Sequence, residues 1–343
     1  QTTQGILVKA FLASSGVRPS LHTYFITAMS AMALGLFSSL IIGLILQTAG
    51  EQTGVGVLVE VGELAMAMMG PAIGVAVAHS LGAPPLVLFS SVVTGAAGAE
   101  LGGPAGAFLA ALVAAEAGKL ISRRTKVDIV LTPLTTVGAG FAVSWVAGPV
   151  IDAGLRRFGG LISWATEQQP LLMSVLVAGL MGLALTLPVS SAAIAVMLDL
   201  SGLAAGAAAV GCAAQMVGFG VASYRDNGWG GLVSQGLGTS MLQIPNVFRN
   251  PRILIPPTLA GAVTAPIATA GFALQNNAAG AGMGTSGLVG PIMTLNTMGD
   301  SSYVLGLIVV FFFVLPALLA WVFATLLRRI GWIADGDQAI TSG

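Results

Sequence analysis

The sequence predicts an all-α polytopic membrane protein, with about eight to ten transmembrane or re-entrant helices, glycine- and proline-broken hairpins and one interfacial amphipathic helix. Three observations carry that class. Apolar runs of about twenty residues recur from end to end of the 343-residue chain. Only 8% of residues are charged and 55% are hydrophobic, with a mean hydropathy of +0.92, whereas soluble domains carry roughly 25% charged residues. Glycine-proline interruptions fall inside apolar segments in both halves of the chain, as expected where helices unwind around a binding site near mid-membrane.

The same composition excludes several functions. Net charge is zero and no basic block occurs, so nucleic acid is not an expected partner. Cys212 is the only cysteine, which rules out an internal disulfide and any cysteine-rich metal site. Two histidines far apart and unclustered carboxylates give no metal ligand set. No cofactor motif and no catalytic residue stand out. The start, Gln1–Ser20, lacks a signal-peptide pattern. Without an initiator Met the sequence reads as trimmed, and the closing Thr-Ser-Gly reads as a scar.

In order, Lys9 and Arg18 precede a first span, Tyr24–Gln47, and place the N-terminus in the cytoplasm by the positive-inside rule. A second segment, Val61–Leu81, carries Glu60 and Glu63 near its start, His79 near its end, and Pro71, where a kink is expected. Gly82-Ala83-Pro84-Pro85 is a turn. Leu86–Ala99 is short for a span and runs into Glu100 and Gly102-Gly103-Pro104, so it is either a re-entrant hairpin or a short crossing. Ala105–Ser122 follows, with Glu116 and Lys119 spaced for an ion pair on one helix face, and then Arg123-Arg124-Thr125-Lys126, the strongest cytoplasmic marker. Asp128–Ile151 is the next span, interrupted by Pro133. Ile151–Gln169 then reads as an interfacial amphipathic helix. An odd number of crossings before it would put Arg156 and Arg157 outside, so either Leu86–Ala99 does not cross or this helix departs from the rule.

Leu171–Leu187 and Ser190–Leu200 flank Pro188, as one kinked helix or two short ones. Leu203–Val221 is rich in small residues and suited to close packing in lipid. Ser223–Gly231 reads as a polar turn. Leu232–Val247 mixes glycine with Gln235, Gln243 and Asn246 and reads as interfacial or cavity-lining. Arg249 and Arg252 precede the apolar Ile253–Leu274, and Tyr303–Leu327 ends in Arg328-Arg329, which puts the C-terminus in the cytoplasm. The expected organisation is a single membrane domain: a cytoplasmic segment 1–20, a first half 21–150, the amphipathic helix 151–169, a second half 170–329 and a tail 330–343.

Between the last two apolar runs lies Gln275–Pro291, Q-N-N-A-A-G-A-G-M-G-T-S-G-L-V-G-P, with five glycines. Such density spoils a regular helix. Unwound backbone at membrane depth must be buried in protein or line a wet cavity. Asn276, Asn277, Thr285 and Ser286 are the first candidates for contacts to a small polar solute, because amides and hydroxyls both donate and accept. Their alternative role is to cap unwound helix ends. Gln215 and Gln235 are further pathway candidates. Glu63 and Glu100 are intramembrane acids or interfacial ones, and His79 is a solute ligand, a proton carrier or a solvated turn residue. Asp226 and Asn227 are the candidates for facing a partner, or members of a turn. Asp199 is read as a helix cap.

Gly236–Asn246 (G-L-G-T-S-M-L-Q-I-P-N), Asn250–Thr258 (N-P-R-I-L-I-P-P-T) and Asn276–Gly290 together resemble the membrane-embedded enzyme IIC family of the bacterial sugar phosphotransferase system, in its IIC-like or PfoR-type branch. Val127–Thr136, Val189–Ala195 and Tyr224–Gly231 fit the same group. The resemblance covers about Ala33 to Leu326. It implies an enzyme IIC-like transporter fold, usually dimeric, in the bacterial cytoplasmic membrane. A mobile, elevator-like domain would carry a sugar past a static dimerisation domain, and IIB and IIA phosphocarrier proteins would be the partners. The chain departs from glucose-type members: their G-I-T-E-P motif is absent, and the hairpin offers Asn276-Asn277 in place of a carboxylate. No residue here carries phosphate, so the chain is at most the membrane component of the complex. The alternatives are a stand-alone ion-coupled transporter working through Glu63, Glu100 or His79, and a membrane sensor or regulator that binds without transport.

Overall fold

The computed structural model describes residues 11–17 and 19–340. Lys9 and Arg18, and with them the charge argument for the N-terminus, lie outside the described residues. Within them the chain is helical without strands, as required of backbone that must satisfy its own hydrogen bonds in lipid. Among the described residues six helices are long and apolar enough to cross a membrane, or seven if the one bent pair counts as a span.

The helices are α1 (Thr23–Thr53), α2 (Gly56–Ala67), α3 (Met69–Ser80), α4 (Pro85–Ile121), α5 (Asp128–Thr166), α6 (Pro170–Thr186), α7 (Ser191–Met197), α8 (Gly202–Ala222), α9 (Tyr224–Val233), α10 (Ile244–Arg249), α11 (Pro251–Gly271), α12 (Val289–Met298) and α13 (Ser302–Arg329). They form two compact units. The first holds residues up to Leu40 and Leu64–Ala153, and the second Ile41–Glu63 and Gly154 onward. The chain passes between units inside helices. One passage, at Leu40/Ile41, falls in a π-helical turn of α1, Phe37–Ile41.

The first unit is built by glycine. Gly102 and Gly103 leave helical geometry, with Gly103 at φ +57°, and α4 folds back on itself there. Its two arms touch where a Cβ on Gly98 would strike the Gly106 carbonyl, and one on Gly106 the Gly98 carbonyl. The same closeness joins α3 to the first arm: Gly74 faces the Ser91 carbonyl and Gly95 the Gly70 carbonyl. Small residues at such crossings let helices associate in lipid, where burial of apolar side chains gives no preference. Leu86–Ala99 is therefore one arm of a helical hairpin, longer than its apolar run suggested. Lys119, buried, reaches the Leu81 carbonyl at 2.9 Å and pairs with Glu116 at 3.3 Å. Gly74→Val is expected to cost about 1–3 kcal/mol by overpacking, read as a lowered thermal midpoint in detergent. A midpoint unchanged by the valine would mean that α3 and α4 do not pack this closely.

Four local expectations need correction. The break expected at Pro71 lies at Met68, where α2 and α3 meet at a 50° bend. Pro71 instead sits in the first turn of α3, where its missing N–H leaves no bond unmade. Asp128–Ile151 and Ile151–Gln169 are one unbroken helix, α5. Its last part buries Ile162 and Ala165 in the second unit's core, with Leu155 and Phe158 packed alongside, so tertiary packing extends a helix whose sequence changes character. Of Ser223–Gly231 only Ser223 is a turn; Tyr224–Gly231 is helical, with a break at Gly228 (φ +59°). Asp199 has φ +48°, and the N-cap of α8 is Ser201.

In the second unit α8 is the axis. Nearly every residue from Ala205 to Ala222 is buried, and Gly211, Gly218 and Gly206 bring it against the Ala178 carbonyl of α6, Pro257 of α11 and the Leu274 carbonyl. An alanine- and glycine-rich helix can be enclosed on all sides because its own side chains take little room.

Candidate functional site

Three interrupted stretches meet around α8. The first follows Pro188, where α6 has ended and Ser190 caps α7 by accepting from the Ala193 N–H at 3.1 Å. The second is 234–243. It winds as a π-turn over Ser234–Gly238, is extended at Thr239, and winds again as a 3-10 turn over Ser240–Gln243. The third is the glycine-rich stretch itself. It runs extended into Asn277, makes a single helical turn at Ala278–Ala281, and passes three residues with positive φ (Gly284, Gly287, Leu288) before α12 begins. Pro291 lies in the first turn of α12, which a proline tolerates.

The side chains singled out from the sequence bind these stretches together. Thr285 donates to the Gly236 carbonyl at 2.5 Å and Ser286 to the Gly238 carbonyl at 2.8 Å. Ser191 donates to the Gly282 carbonyl at 2.6 Å. Asn276, almost wholly buried, donates through Nδ2 to the Gly290 carbonyl at 3.0 Å and Thr294 Oγ1 at 3.1 Å. Its Oδ1 accepts the Asn277 N–H at 2.8 Å, and its own N–H meets the Gly202 carbonyl at 3.2 Å. Asn276, Thr285 and Ser286 thus face protein groups in this structure. Unwound backbone exposes carbonyls that must be satisfied, and the nearest hydroxyls and amides supply them.

Asn277 differs. Half-buried, it accepts the Gly280 N–H at 3.1 Å and caps the helical turn, while its Nδ2 has only a 3.4 Å contact to Thr297 and a 3.6 Å contact to Met293 Sδ. It stands beside exposed Gln275, Asn296 and Thr297. Gln215, buried, donates to Thr258 Oγ1 at 2.7 Å and accepts from Thr186 at 3.4 Å, and Thr186 shares a 2.8 Å bond with Ser240. Gln235, buried, donates to Ser223 Oγ at 2.8 Å and accepts from Gln243 at 2.8 Å.

The other candidates take no part in the bonds between these three stretches. Glu63 is exposed on α2. His79 and Glu100 are exposed in the first unit, His79 at the edge of an open cavity of about 820 Å³ with Leu34, Pro71 and Val92. Asp226 and Asn227 are engaged by the chain's own later segment. Asp226 accepts N–H groups from Gly336 and Gln338, and Asn227 holds the Gln338 carbonyl and the Ile340 N–H. Ser191, Thr186, Ser240, Gln243, Asn246, Thr258 and Thr294 were absent from the sequence-based candidates. Only Gln243 and Asn246 had a signal, as polar residues in an otherwise apolar stretch. Among the described residues no group of three metal-ligating side chains occurs.

A multi-pass membrane protein whose second unit encloses unwound, glycine-rich backbone on a polar hydrogen-bond network is the class that fold and site define. The family described as Phosphotransferase system, EIIC matches residues 26–340. The chain belongs to that family, which supports a membrane sugar-permease component and implies a sugar substrate and a IIB partner. No curated protein and no solved structure matches it.

Proposed function

We propose that the chain is the permease subunit of a phosphotransferase-type sugar transport system, moving a small polar solute, a carbohydrate, by alternating access. The observation that supports this most is the meeting of the stretches at 188–191, 234–243 and 275–291 inside one unit. Paired interruptions of this kind mark transport sites, and donor-acceptor groups without charge suit sugar hydroxyls. The second unit is the mobile, substrate-carrying body and the first the static one of a homodimer. The glycine-rich stretch is a re-entrant hairpin, in a bacterial inner membrane with both termini cytoplasmic.

Asn277 is the direct solute contact. Asn276, Thr285, Ser286, Gln215 and Gln235 position the backbone around it. In group translocation the sugar hydroxyl attacks phosphorus on a phosphocysteine of the IIB partner, the thiolate leaves, and the hydroxyl proton passes to a base or water. This chain supplies orientation and a dehydrated site. Its one thiol is not a carrier: Cys212 is enclosed, directed at the Met181 and Ala281 carbonyls at 3.4 and 3.6 Å.

The test is uptake into proteoliposomes across a sugar panel, with and without phosphorylated IIB. Phosphosugar accumulating only with IIB is the expected result. Unmodified sugar accumulating without it would overturn obligatory coupling and leave the ion-coupled transporter, with Glu63, Glu100 and His79 as its titratable groups. Binding without uptake would leave the sensor. Asn277→Ala is expected to raise KM about tenfold, since truncating one contact to a substrate typically costs on the order of 1.4 kcal/mol, and to lower the thermal midpoint modestly through loss of the cap on Gly280. An unchanged KM would remove Asn277 from the site.

A further inference from the structure

A second set of amides in the same unit is filled by the chain itself. Asn227 Nδ2 and Gln243 Nε2 both donate to the Gln338 carbonyl, at 2.8 and 3.0 Å, and Asn246 Nδ2 donates to the Ala339 carbonyl at 2.9 Å. Asn227 Oδ1 accepts the Ile340 N–H at 2.7 Å, and Asp226 accepts those of Gly336 and Gln338 at 3.1 and 3.2 Å. The Gln338 side chain is fully buried. Arg328 donates to its Oε1 at 3.2 Å, but its Nε2 has no hydrogen-bond partner.

The segment is held through its backbone by side-chain amides and a carboxylate, as a ligand is held. Ile333 anchors the segment by apolar burial against Phe219 and Ile253. Beyond it Ala334, Asp335 and Gly336 are exposed, Gly336 turns at φ +88°, and the chain dips back to bury Gln338 through polar contacts. Polar contacts formed in place of bonds to water return little net stability each, and a buried unpaired donor opposes them. Such a segment opens locally at lower cost than the unit unfolds.

Displacement would release the bonds these amides make to the segment, while Asn246 Nδ2 stays on Gln243 Oε1 at 2.9 Å and Gln243 Nε2 on Gln235 Oε1 at 2.8 Å. Asn227, Gln243 and Asn246 offer side-chain donors and acceptors at the level where Gln235, bonded to Gln243, leads to Gly236 and so to Thr285 of the hairpin. We propose that residues 335–340 are a displaceable self-ligand occupying a second polyhydroxyl-binding site, formed by Asn227, Gln243 and Asn246, through which solute passes between the hairpin and one face of the membrane. The class of solute rests on the transport reading above, while the displacement of the segment does not.

The experiment uses the full chain carrying Gln338→Cys in lipid nanodiscs, with a polar maleimide as the probe and buried Cys212 as the internal gauge of unfolding. The introduced thiol is expected to react about tenfold or more faster than Cys212. Equal rates would mean that the segment opens only when the unit unfolds, and would overturn the proposal. Protection of Cys212 shows that the variant is folded. A second variant, Asn250→Cys with Asp337→Cys, a pair that meets at 2.8 Å outside the proposed site, is joined in proteoliposomes by a short bis-thiosulfonate cross-linker that forms reducible disulfides. Uptake of whichever panel sugar the unsubstituted chain accumulates is expected to fall about tenfold on cross-linking and to return on reduction. Unchanged uptake with the segment tethered would sink the passage. Absence of uptake by the unsubstituted chain would count against the transport reading, and the labelling rates would still decide whether the segment is displaceable.

Discussion

Gly284→Ala is expected to destabilise the protein by roughly 2–5 kcal/mol, enough to remove most folded protein from a detergent extract. Gly284 has φ +53°, and a Cβ in the left-handed region costs about 1–2 kcal/mol. The added methyl would lie 2.6 Å from the Ala213 nitrogen and 2.9 Å from Cys212 Cβ on α8. Overpacking a rigid contact adds about 1–3 kcal/mol, and the enclosed α8 has no free volume into which it can retreat. The carbonyl of Gly284 also accepts the Gly290 N–H at 2.9 Å, so a shift here is transmitted to the start of α12. The measurement is the thermal midpoint and monodispersity of the purified variant. Gly54→Ala is the control, left-handed at φ +72° and ψ +15° but with open space for its Cβ. If both variants lose the same stability, backbone strain alone is responsible and the close approach to α8 contributes nothing.

Asn276→Ala is the second large effect, expected at about 2–4 kcal/mol. It removes the donor to the Gly290 carbonyl and the acceptor of the Asn277 N–H. Each lost buried bond costs about 0.5–1.5 kcal/mol, and each group left unsatisfied about 1–3 kcal/mol. Thr294 Oγ1 still donates to the Gly290 carbonyl at 3.0 Å, which holds the loss below the sum of those figures. A double-mutant cycle with Thr294→Val isolates the coupling. Asn276→Ala should lower the thermal midpoint far more than Asn277→Ala. The reverse order would mean that the half-buried amide, not the enclosed one, holds the hairpin.

The contrast between these adjacent amides shows where sequence reading stops. Q-N-N within a glycine-rich run announces unwound backbone and a polar purpose for both side chains, but nothing in the run says which one faces inward. That depends on the folded path that brings the Gly290 carbonyl and the Thr294 hydroxyl to the Asn276 side chain. Asp226 and Asn227 make the same point. As a polar pair beside Gly228 they suggest a surface turn, and only the return of residues 335–340 turns them into ligands for backbone. Gly102-Gly103-Pro104 was legible as an interruption, whereas the length of the arms it joins depended on Gly98 and Gly106 meeting.

By itself the sequence determined the solvent. Mean hydropathy and the scarcity of charge require a membrane and therefore helices, because lipid offers backbone groups no other partner. It also marked some of the interruptions, at Gly102-Gly103 and in the glycine-rich 275–291, but not all: α5 runs through Pro133 and Pro149, and the bend near Pro71 lies at Met68. Tertiary structure decided the rest: that α5 runs unbroken through a change of character, that Ile41–Glu63 belongs with the second unit, and that hairpin hydroxyls serve the carbonyls of 236 and 238. These outcomes depend on which buried polar groups come within about 3 Å of one another, and residue type and spacing along a chain do not contain that distance.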